Sequence, residues 1–356
     1  MSDKGSSLVF KAGRGAFESI RRDGFSADRI GTIAGASGGA KWLVLSQLDR
    51  VILRDLLPKL RGPVHLIGSS IGAWRFACYG QRNPLAAIER LELAYLEQQY
   101  SEKPDKYEIS EKSREILDFV MRDTGVGHVL ESPLFRTHFM AVRARHLTAA
   151  EHPAVLGAGL AAAAALNVAS RRSLGAFFER ALFYDDRDIP PFFEARGFPM
   201  QKIPLTADNF KDAVIASGSI PMILEGVKDI AGASPGVYRD GGIIDYHLDL
   251  PQSQPDRLTL YPHFYEQIVP GWFDKKLSWR TPDPVNIDRT VLVSPSREFV
   301  ESLPNAKIPD RNDFVKFDTL KRKRDWRTVI LACQRLAEEF HEVLEKDRLA
   351  ARLQPL

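Results

Sequence analysis

Two successive strand–glycine turn–helix segments constrain the fold more than any other feature of the chain. An apolar run over residues 29–34 enters a glycine-rich turn at Gly35 and continues into a predicted helix over residues 41–57. A second apolar run, residues 64–67, enters the turn G-S-S-I-G at 68–72 and continues into a helix-like segment, 73–78. Units of this kind place parallel strands side by side with helices on the faces of the sheet. We therefore predict an α/β fold with a mostly parallel central sheet flanked by helices.

The remaining segments extend this pattern and end in a helical region. Val9, Ala12, Ala16 and Ile20 recur at helical spacing and predict an N-terminal helix that ends near Gly24. Further strands are predicted near residues 137–143, 181–184, 201–205, 237–239, 258–261 and 290–294. Residues 313–353 are mostly helical in pattern. We predict an α/β domain over residues 1–310 and a C-terminal helical extension, 311–356, packed on the same domain.

Composition and charge indicate a globular cytosolic protein. Of the 356 residues 44% are hydrophobic and 27% charged, and a net charge of +3 does not predict a nucleic-acid partner. The two cysteines lie in apolar, helix-like surroundings typical of reduced thiols, and no secretory leader is expected. The alanine-rich stretch 153–169 is too short for a bilayer span and predicts a buried helix.

The second glycine turn carries the pattern G-x-S-x-G, with Ser70 between Gly68 and Gly72. The two glycines let the backbone pass through a sharp turn and let the helix pack close to the strand. The serine then lies at a helix N-terminus, where the macrodipole favours developing negative charge. This context predicts Ser70 as a catalytic nucleophile.

The first glycine turn contains a second candidate nucleophile, Ser37. In one assignment Ser37 attacks and residues 12–15 supply backbone donors; in the other Ser70 attacks and the 38–41 loop supplies them. An oxyanion loop has to leave the end of a strand, whereas the residues before Arg14 are predicted to be helical, so we favour Ser70. Successive glycines allow backbone N–H groups to converge on an oxyanion. The predicted oxyanion-hole residues are Gly38, Gly39, Ala40 and Lys41.

No cofactor and no metal are predicted. The 36–41 loop faintly resembles a phosphate loop, but Ala40 replaces the glycine before the lysine and Trp42 replaces the hydroxyl residue after it. A nucleotide with magnesium would therefore lack its usual ligands.

An aspartate followed by two glycines, Asp240-Gly241-Gly242, is the candidate base that a serine nucleophile requires. The segments G-G-A-K at 38–41, G-S-S-I-G at 68–72 and D-G-G at 240–242 resemble, in order, the core motifs of the patatin-like phospholipases. A-S-G-S-I-P at 216–221 resembles a fourth segment of that family. The resemblance spans roughly residues 30–250.

That resemblance implies a patatin-like three-layer core and a lipid acyl hydrolase that uses a Ser–Asp dyad without a catalytic histidine. It implies that Ser70 attacks an acyl ester, that Asp240 accepts the proton and later activates water, and that the 38–41 loop holds the oxyanion. The sequence departs from the family pattern in two places, because Ser37 replaces a glycine and Lys41 replaces the more usual arginine.

Several alternatives remain open at this stage. A Ser–Asp–His triad could use His247 or His263, which both follow the elbow in the chain. A non-catalytic lipid-binding protein and an acyltransferase are the rival functions. The expected substrate is an acyl ester or phospholipid, and the oligomeric state is not predicted.

Two further segments suggest contact with lipid. A cluster of aromatic side chains surrounds Pro190 and Pro191 and is a candidate acyl groove: Phe177, Phe178, Phe183, Tyr184, Phe192 and Phe193. Residues 316–327 carry six basic side chains among Phe317, Leu320 and Trp326, which favours peripheral contact with an anionic membrane.

Overall fold

The two glycine turns join strands that lie side by side in one mixed sheet. The structure, a computed structural model, describes residues 5–123, 125–252, 254 and 256–356. Its strands are β1 Leu8–Ala12, β2 Ile30–Gly35, β3 Val64–Ser69, β4 Phe135–Ala144, β5 Phe178–Tyr184, β6 Met200–Pro204, β7 Val227–Lys228, β8 Val237–Asp240, β9 Leu258–Pro262, β10 Thr290–Pro295 and β11 Leu353–Pro355.

Helices cover the faces of this sheet. The α-helices of the described residues are α1 Arg14–Asp23, α2 Ser46–Val51, α3 Ile71–Tyr79, α4 Pro84–Glu97, α5 Lys106–Val120, α6 Gly125–Leu130, α7 Pro153–Ala169, α8 Phe210–Gly218, α9 Pro284–Ile287, α10 Arg297–Glu301, α11 Asp313–Lys316, α12 Thr319–Ala332, α13 Gln334–Glu345 and α14 Leu349–Arg352. A 3₁₀ helix, Gly39–Leu45, precedes α2.

The sheet has a parallel centre and antiparallel additions. The strand order is β11-β1-β10-β9-β2-β3-β4-β5-β6, and β8 pairs with both β4 and β7. From β10 through β9, β2 and β3 to β4 every pair is parallel, so the carboxyl ends of β2 and β3 meet at one edge. Both central strands are fully buried, as expected for a sheet covered on its two faces. The predicted α/β architecture with a helix-flanked central sheet is confirmed.

The predicted N-terminal helix is wrong for its first half. Residues 8–12 form β1, which lies antiparallel to β10, and the helix begins only at Arg14. Leu8, Phe10 and Ala12 are buried while Val9 and Lys11 are half-buried, a period of two that marks a strand. The argument that residues before Arg14 are helical therefore cannot decide between Ser37 and Ser70.

The C-terminal segment contacts the sheet directly. Strand β11 pairs in parallel with β1, and α13 packs against β1 and α2. The boundary near residue 310 between a domain and an extension stays a prediction.

The alanine-rich helix is more exposed than predicted. Helix α7 buries one face, through Leu156, Gly159, Ala163 and Asn167, whereas Val155, Leu166 and Val168 are exposed. In the part of the chain that the structure describes, no helix is long and apolar enough to cross a membrane.

Candidate active site

Ser70 lies at the turn between β3 and α3, in a backbone conformation that few serines adopt. Its φ is 55° and its ψ is −123°. The flanking glycines leave room for this turn. A Cβ on Gly68 would lie 2.4 Å from the Ala73 nitrogen, and one on Gly72 would lie 1.9 Å from the Gly35 carbonyl oxygen. The two glycine turns are therefore packed backbone to backbone.

The Ser70 side chain is hydrogen-bonded to Asp240, 170 residues later in the chain. Ser70 Oγ donates to Asp240 Oδ2 at 2.8 Å, and the Gly242 amide donates to Asp240 Oδ1 at 2.7 Å. Asp240 ends β8, where it lies opposite Ala141 of β4. A Cβ on Gly241 would lie 2.0 Å from the Met140 carbonyl oxygen, so this turn also requires its glycine. The second glycine, Gly242, lies against Ser37, whose Oγ is 2.5 Å from the position of the missing Cβ.

Burial gives the Asp240 carboxyl the properties of a base that works near neutral pH. Burial raises the pKa of Asp240 to about 6, and the hydrogen bonds from Ser70 and Gly242 counteract part of the rise. Only 7% of the residue is exposed. The carboxylate is thus ionised at pH 7 and is a stronger base than a solvated aspartate.

The 38–41 loop lies on the other side of Ser70. Gly38 is extended, Gly39 has a φ of 56°, and Gly39 begins the 3₁₀ helix. The first amides of a helix have no acceptor within it, so those of Gly39 and Ala40 are available to an oxyanion. The Lys41 amide already donates to the Gly38 carbonyl oxygen at 3.3 Å. Gly38, Gly39 and Lys41 line the same cavity as Ser70, whereas the side chain of Ala40 is buried.

The other candidate serine has no base beside it. Ser37 Oγ donates to Ser69 Oγ at 2.9 Å, and the Ser37 amide donates to the Tyr246 carbonyl oxygen. Among the described residues no carboxylate or imidazole accepts a hydrogen bond from Ser37 Oγ. The geometry brings Ser70, rather than Ser37, together with Asp240.

The fourth motif, at residues 216–221, forms hydrogen bonds with both Ser70 and Asp240. Ser217 Oγ accepts a hydrogen bond from the Ser70 amide at 2.9 Å and donates to the Met140 carbonyl oxygen at 2.7 Å. The Ser219 carbonyl oxygen accepts from the Asp240 amide at 3.0 Å. Ile220 and Pro221 then line the cavity.

The two candidate histidines lie elsewhere. His247 and His263 are fully buried in an aromatic cluster, and neither is hydrogen-bonded to Ser70 or Asp240. Their Nδ1 atoms accept hydrogen bonds from the amides of Val269 and Tyr265. Burial lowers the pKa of both imidazoles, so they stay neutral. The hydrogen bonds of the structure therefore do not join either histidine to Ser70 and Asp240 as a triad would require.

Ser70 and Asp240 line a cavity of about 200 Å³. The residues that form its far wall were not among those predicted from the sequence. This wall includes Tyr246, Trp272, Lys275 and Arg311, and no motif marks any of them. The Lys275 ammonium lies 3.9 Å from the centroid of the Tyr246 ring, although the residue as a whole is exposed. Burial of the ammonium, followed by the nearby charges of Lys41 and Arg311, lowers the pKa of Lys275 to about 7.

Lys41 adds a second ammonium group to this region. Its Nζ donates to the Tyr246 hydroxyl at 3.2 Å and lies over the Phe264 and Tyr265 rings. Burial lowers the pKa of Lys41. In the described residues neither Lys41 nor Lys275 forms an ion pair with a carboxylate, although Asp240 and Asp310 line the same cavity. With its pKa lowered to about 7, Lys275 is only partly charged at neutral pH. Among all the residues that the structure describes, no group of three or more His, Cys, Asp or Glu side chains is arranged to hold a metal ion.

No residue of the two segments predicted to contact lipid lines this cavity. Phe178, Phe183 and Phe192 are core residues, and none of the six predicted groove aromatics lines it. The prediction of an acyl groove there is wrong.

The basic segment is largely neutralised by its neighbours. Lys321 pairs with Asp325, while Lys323 and Arg327 both pair with Glu97. Arg322 is buried between Phe314 and Trp326. Membrane contact through residues 316–327 stays a prediction.

Comparison with known proteins finds limited similarity. No protein-family model and no curated protein matches the chain. Among solved structures, VipD from Legionella pneumophila is 12% identical with a TM-score of 0.33, covering 75% of this chain and 56% of that one. The heterodimeric ExoU–SpcU complex from the type III secretion system of Pseudomonas aeruginosa gives 12% identity and a TM-score of 0.33, with 90% and 52% coverage. This chain thus spans about half the length of either one, and we derive the function from the site itself.

Proposed function

We propose that the protein is a serine acyl-ester hydrolase of the patatin-like kind, with Ser70 as nucleophile and Asp240 as base. The observation that carries the proposal is the 2.8 Å hydrogen bond from Ser70 Oγ to a buried carboxylate, beside a loop of available amides. The four motifs that resemble the patatin-like phospholipases support it, because residues from all four meet at one cavity. All of them fall within the proposed domain, residues 1–310.

In the first half of the proposed reaction Ser70 is acylated. Ser70 Oγ attacks the acyl carbonyl carbon while Asp240 Oδ2 accepts the hydroxyl proton. The carbonyl oxygen becomes an oxyanion that accepts hydrogen bonds from amides of the 38–41 loop. When the tetrahedral intermediate collapses, the ester C–O bond breaks and the proton on Asp240 passes to the leaving alcohol.

In the second half water hydrolyses the acyl-enzyme. Asp240 accepts a proton from water, the resulting hydroxide attacks the acyl carbon, and the same loop stabilises the second oxyanion. Collapse releases the carboxylic acid, and Ser70 Oγ recovers its proton from Asp240. Asp240 thus alternates between base and acid without a histidine.

The charges of the cavity favour a substrate with a negative group near the ester. Lys41, Lys275 and Arg311 line the cavity together with Ser70, and its carboxyl groups are those of Asp240 and Asp310. A phospholipid, which carries a phosphate close to its acyl esters, meets this requirement better than an uncharged ester does. We therefore propose phospholipid as the substrate class.

Labelling with a fluorophosphonate probe, followed by peptide mapping, tests the nucleophile. We expect one labelled peptide, containing Ser70, and no labelling of Ser70→Ala. Ser37→Ala is the matched control, since it removes a buried hydroxyl from the same cavity but should keep the label. A label on Ser37 would overturn the assignment, and no label at all would favour a non-catalytic lipid-binding protein.

Turnover assays on an anionic phospholipid separate hydrolase from acyltransferase. We expect free fatty acid as the product from the unmodified protein and no product from Ser70→Ala or Asp240→Asn. Transfer of the acyl group to an added alcohol in preference to water would show an acyltransferase that uses the same residues.

A further inference from the structure

A second cavity, outside the Ser70 site, has arginines as five of its eleven lining residues. Its volume is about 330 Å³, and it shares no lining residue with the Ser70 cavity. It lies beyond the C-terminal end of α7, between β5, the 196–198 segment and the segment that precedes α9. The arginines in its wall are Arg171, Arg172, Arg180, Arg196 and Arg280.

Three of these arginines are held by carboxylates behind the wall. Arg180 forms two hydrogen bonds with Asp245, at 2.7 and 2.8 Å. Arg171 donates to Asp274 at 3.1 Å. The Nε atom of Arg280 forms an ion pair with the same carboxylate, at 3.4 Å from Asp274 Oδ1. The Nη2 atom of Arg280 also donates to the Asn167 carbonyl oxygen at 2.9 Å.

The other two arginines are exposed and have no carboxylate partner. In the described residues neither Arg172 nor Arg196 forms an ion pair or a side-chain hydrogen bond. Both are free to turn toward a ligand in the cavity. An exposed arginine beside a cavity that is already lined by cations raises the positive potential there. An anion bound in the cavity would neutralise part of this charge.

The carboxylates at the cavity cancel most of this charge but not all of it. Asp249 Oδ1 accepts from the Asp283 amide and from Asn286, and Asp283 accepts from the Val285 amide at the start of α9. Burial raises the pKa of Asp249. With Asp245 and Asp274 behind the wall, five guanidinium groups face four carboxylates.

We propose that this arginine cavity binds a phosphate group. Guanidinium groups pair with phosphate in a bidentate manner, and a phosphate offers three acceptor oxygens and nearly two negative charges. The exposed guanidinium groups of Arg172 and Arg196, which line the cavity and have no ion-pair partner among the described residues, supply the donors. The phosphate belongs either to a soluble metabolite or to a lipid headgroup. The proposal does not depend on the ester hydrolase activity.

Binding measurements on the full chain test the site. The probes are inorganic pyrophosphate, followed by calorimetry, and vesicles of phosphatidylcholine with or without phosphatidic acid, followed by sedimentation. The test variant is Arg172→Gln combined with Arg196→Gln, which removes two exposed side chains without hydrogen bonds and should fold normally. We expect it to bind the phosphate probe at least tenfold more weakly than the unmodified chain.

A control variant removes the same charge elsewhere. Arg14→Gln with Arg82→Gln removes two exposed arginines that line neither cavity. It should bind the probe as the unmodified chain does. Binding of pyrophosphate would indicate a soluble ligand, and binding only of phosphatidic acid vesicles a lipid headgroup. No binding of either probe, or equal weakening in a control, would overturn the proposal.

Discussion

Ser217 Oγ lies 2.9 Å from the backbone nitrogen of Ser70 and accepts its hydrogen bond. The two serines are 147 residues apart in the chain, and Ser217 is fully buried near the end of α8. Ser217 also donates to the Met140 carbonyl oxygen on β4, so a helix and a strand together fix the turn that presents Ser70. This contact makes Ser217 a positioning residue.

Ser217→Ala should lower kcat with little change in KM. The loss of one buried hydrogen bond costs about 1 kcal/mol, which corresponds to a decrease of roughly five- to tenfold if it loosens the turn in the transition state. The measurement is steady-state hydrolysis of an ester substrate. Ser219→Ala is the matched control, because only the backbone of Ser219 contacts Asp240, and its side chain donates to Ile215. Equal losses in the two variants would contradict the positioning role.

The rate should rise with pH as Asp240 ionises. Since the base must be deprotonated and its pKa is raised to about 6, kcat/KM for an uncharged short-chain ester should increase through that pH and level off above it. The Lys275 charge lowers the pKa of Asp240, so Lys275→Met should move the rise to higher pH. A rise centred near pH 4, or a shift to lower pH in the variant, would argue against Asp240 as the base.

Asp240→Asn should stop turnover and stabilise the fold at high pH. The pKa of Asp240 is about 6 in the folded protein, against 3.8 for an aspartate in an unfolded chain, so the fold favours the protonated acid. The stability from this acid is complete below pH 3.8 and is lost as the pH rises through 6. A neutral asparagine avoids that loss and should add up to about 3 kcal/mol to the free energy of unfolding at pH 8. Urea denaturation of the variant and of the unmodified protein measures this difference in the free energy of unfolding. The difference should disappear near pH 4.

Gly72→Ala should destabilise the protein through backbone contact between the two glycine turns. The added Cβ would lie 1.9 Å from the Gly35 carbonyl oxygen, so β2 and α3 would have to separate. We expect a loss of about 3 kcal/mol or more, seen as a lower Tm or as insoluble protein. Gly127→Ala, on α6 with no atom within 4 Å of the new Cβ, should leave Tm unchanged or slightly higher. A Gly72→Ala protein with normal Tm would contradict the tight packing.

Local sequence was sufficient to predict the parts of the site that depend on backbone turns. Gly35, Gly68 and Gly72 follow apolar strands, and each marks a place where the chain approaches another backbone closely. The first strand was missed because residues 8–12 fit a helical period and a strand period equally well over so short a stretch. Residues 8–12 form a strand because they pair with β10, which lies about 280 residues later in the chain.

The far wall of the cavity could not be predicted because it depends on distant loops. Tyr246, Lys275 and Arg311 come from separate segments without a motif, and only the folded chain brings them opposite Ser70. Their charges matter for the substrate class, which is therefore the part of the function that the sequence leaves open. The prediction of an acyl groove near Pro190 failed for a different reason. Apolar side chains pack equally well in a core or a groove, so the sequence does not distinguish the two.

The positive φ of Ser70 bears on how this chain would evolve. For a residue other than glycine this backbone conformation costs about 1–3 kcal/mol of conformational free energy, whereas glycine adopts it without that cost. In a lineage that no longer needed a nucleophile here, drift would favour glycine at position 70, since the replacement relieves strain. A serine kept at this position in related sequences would therefore indicate selection for the proposed nucleophile.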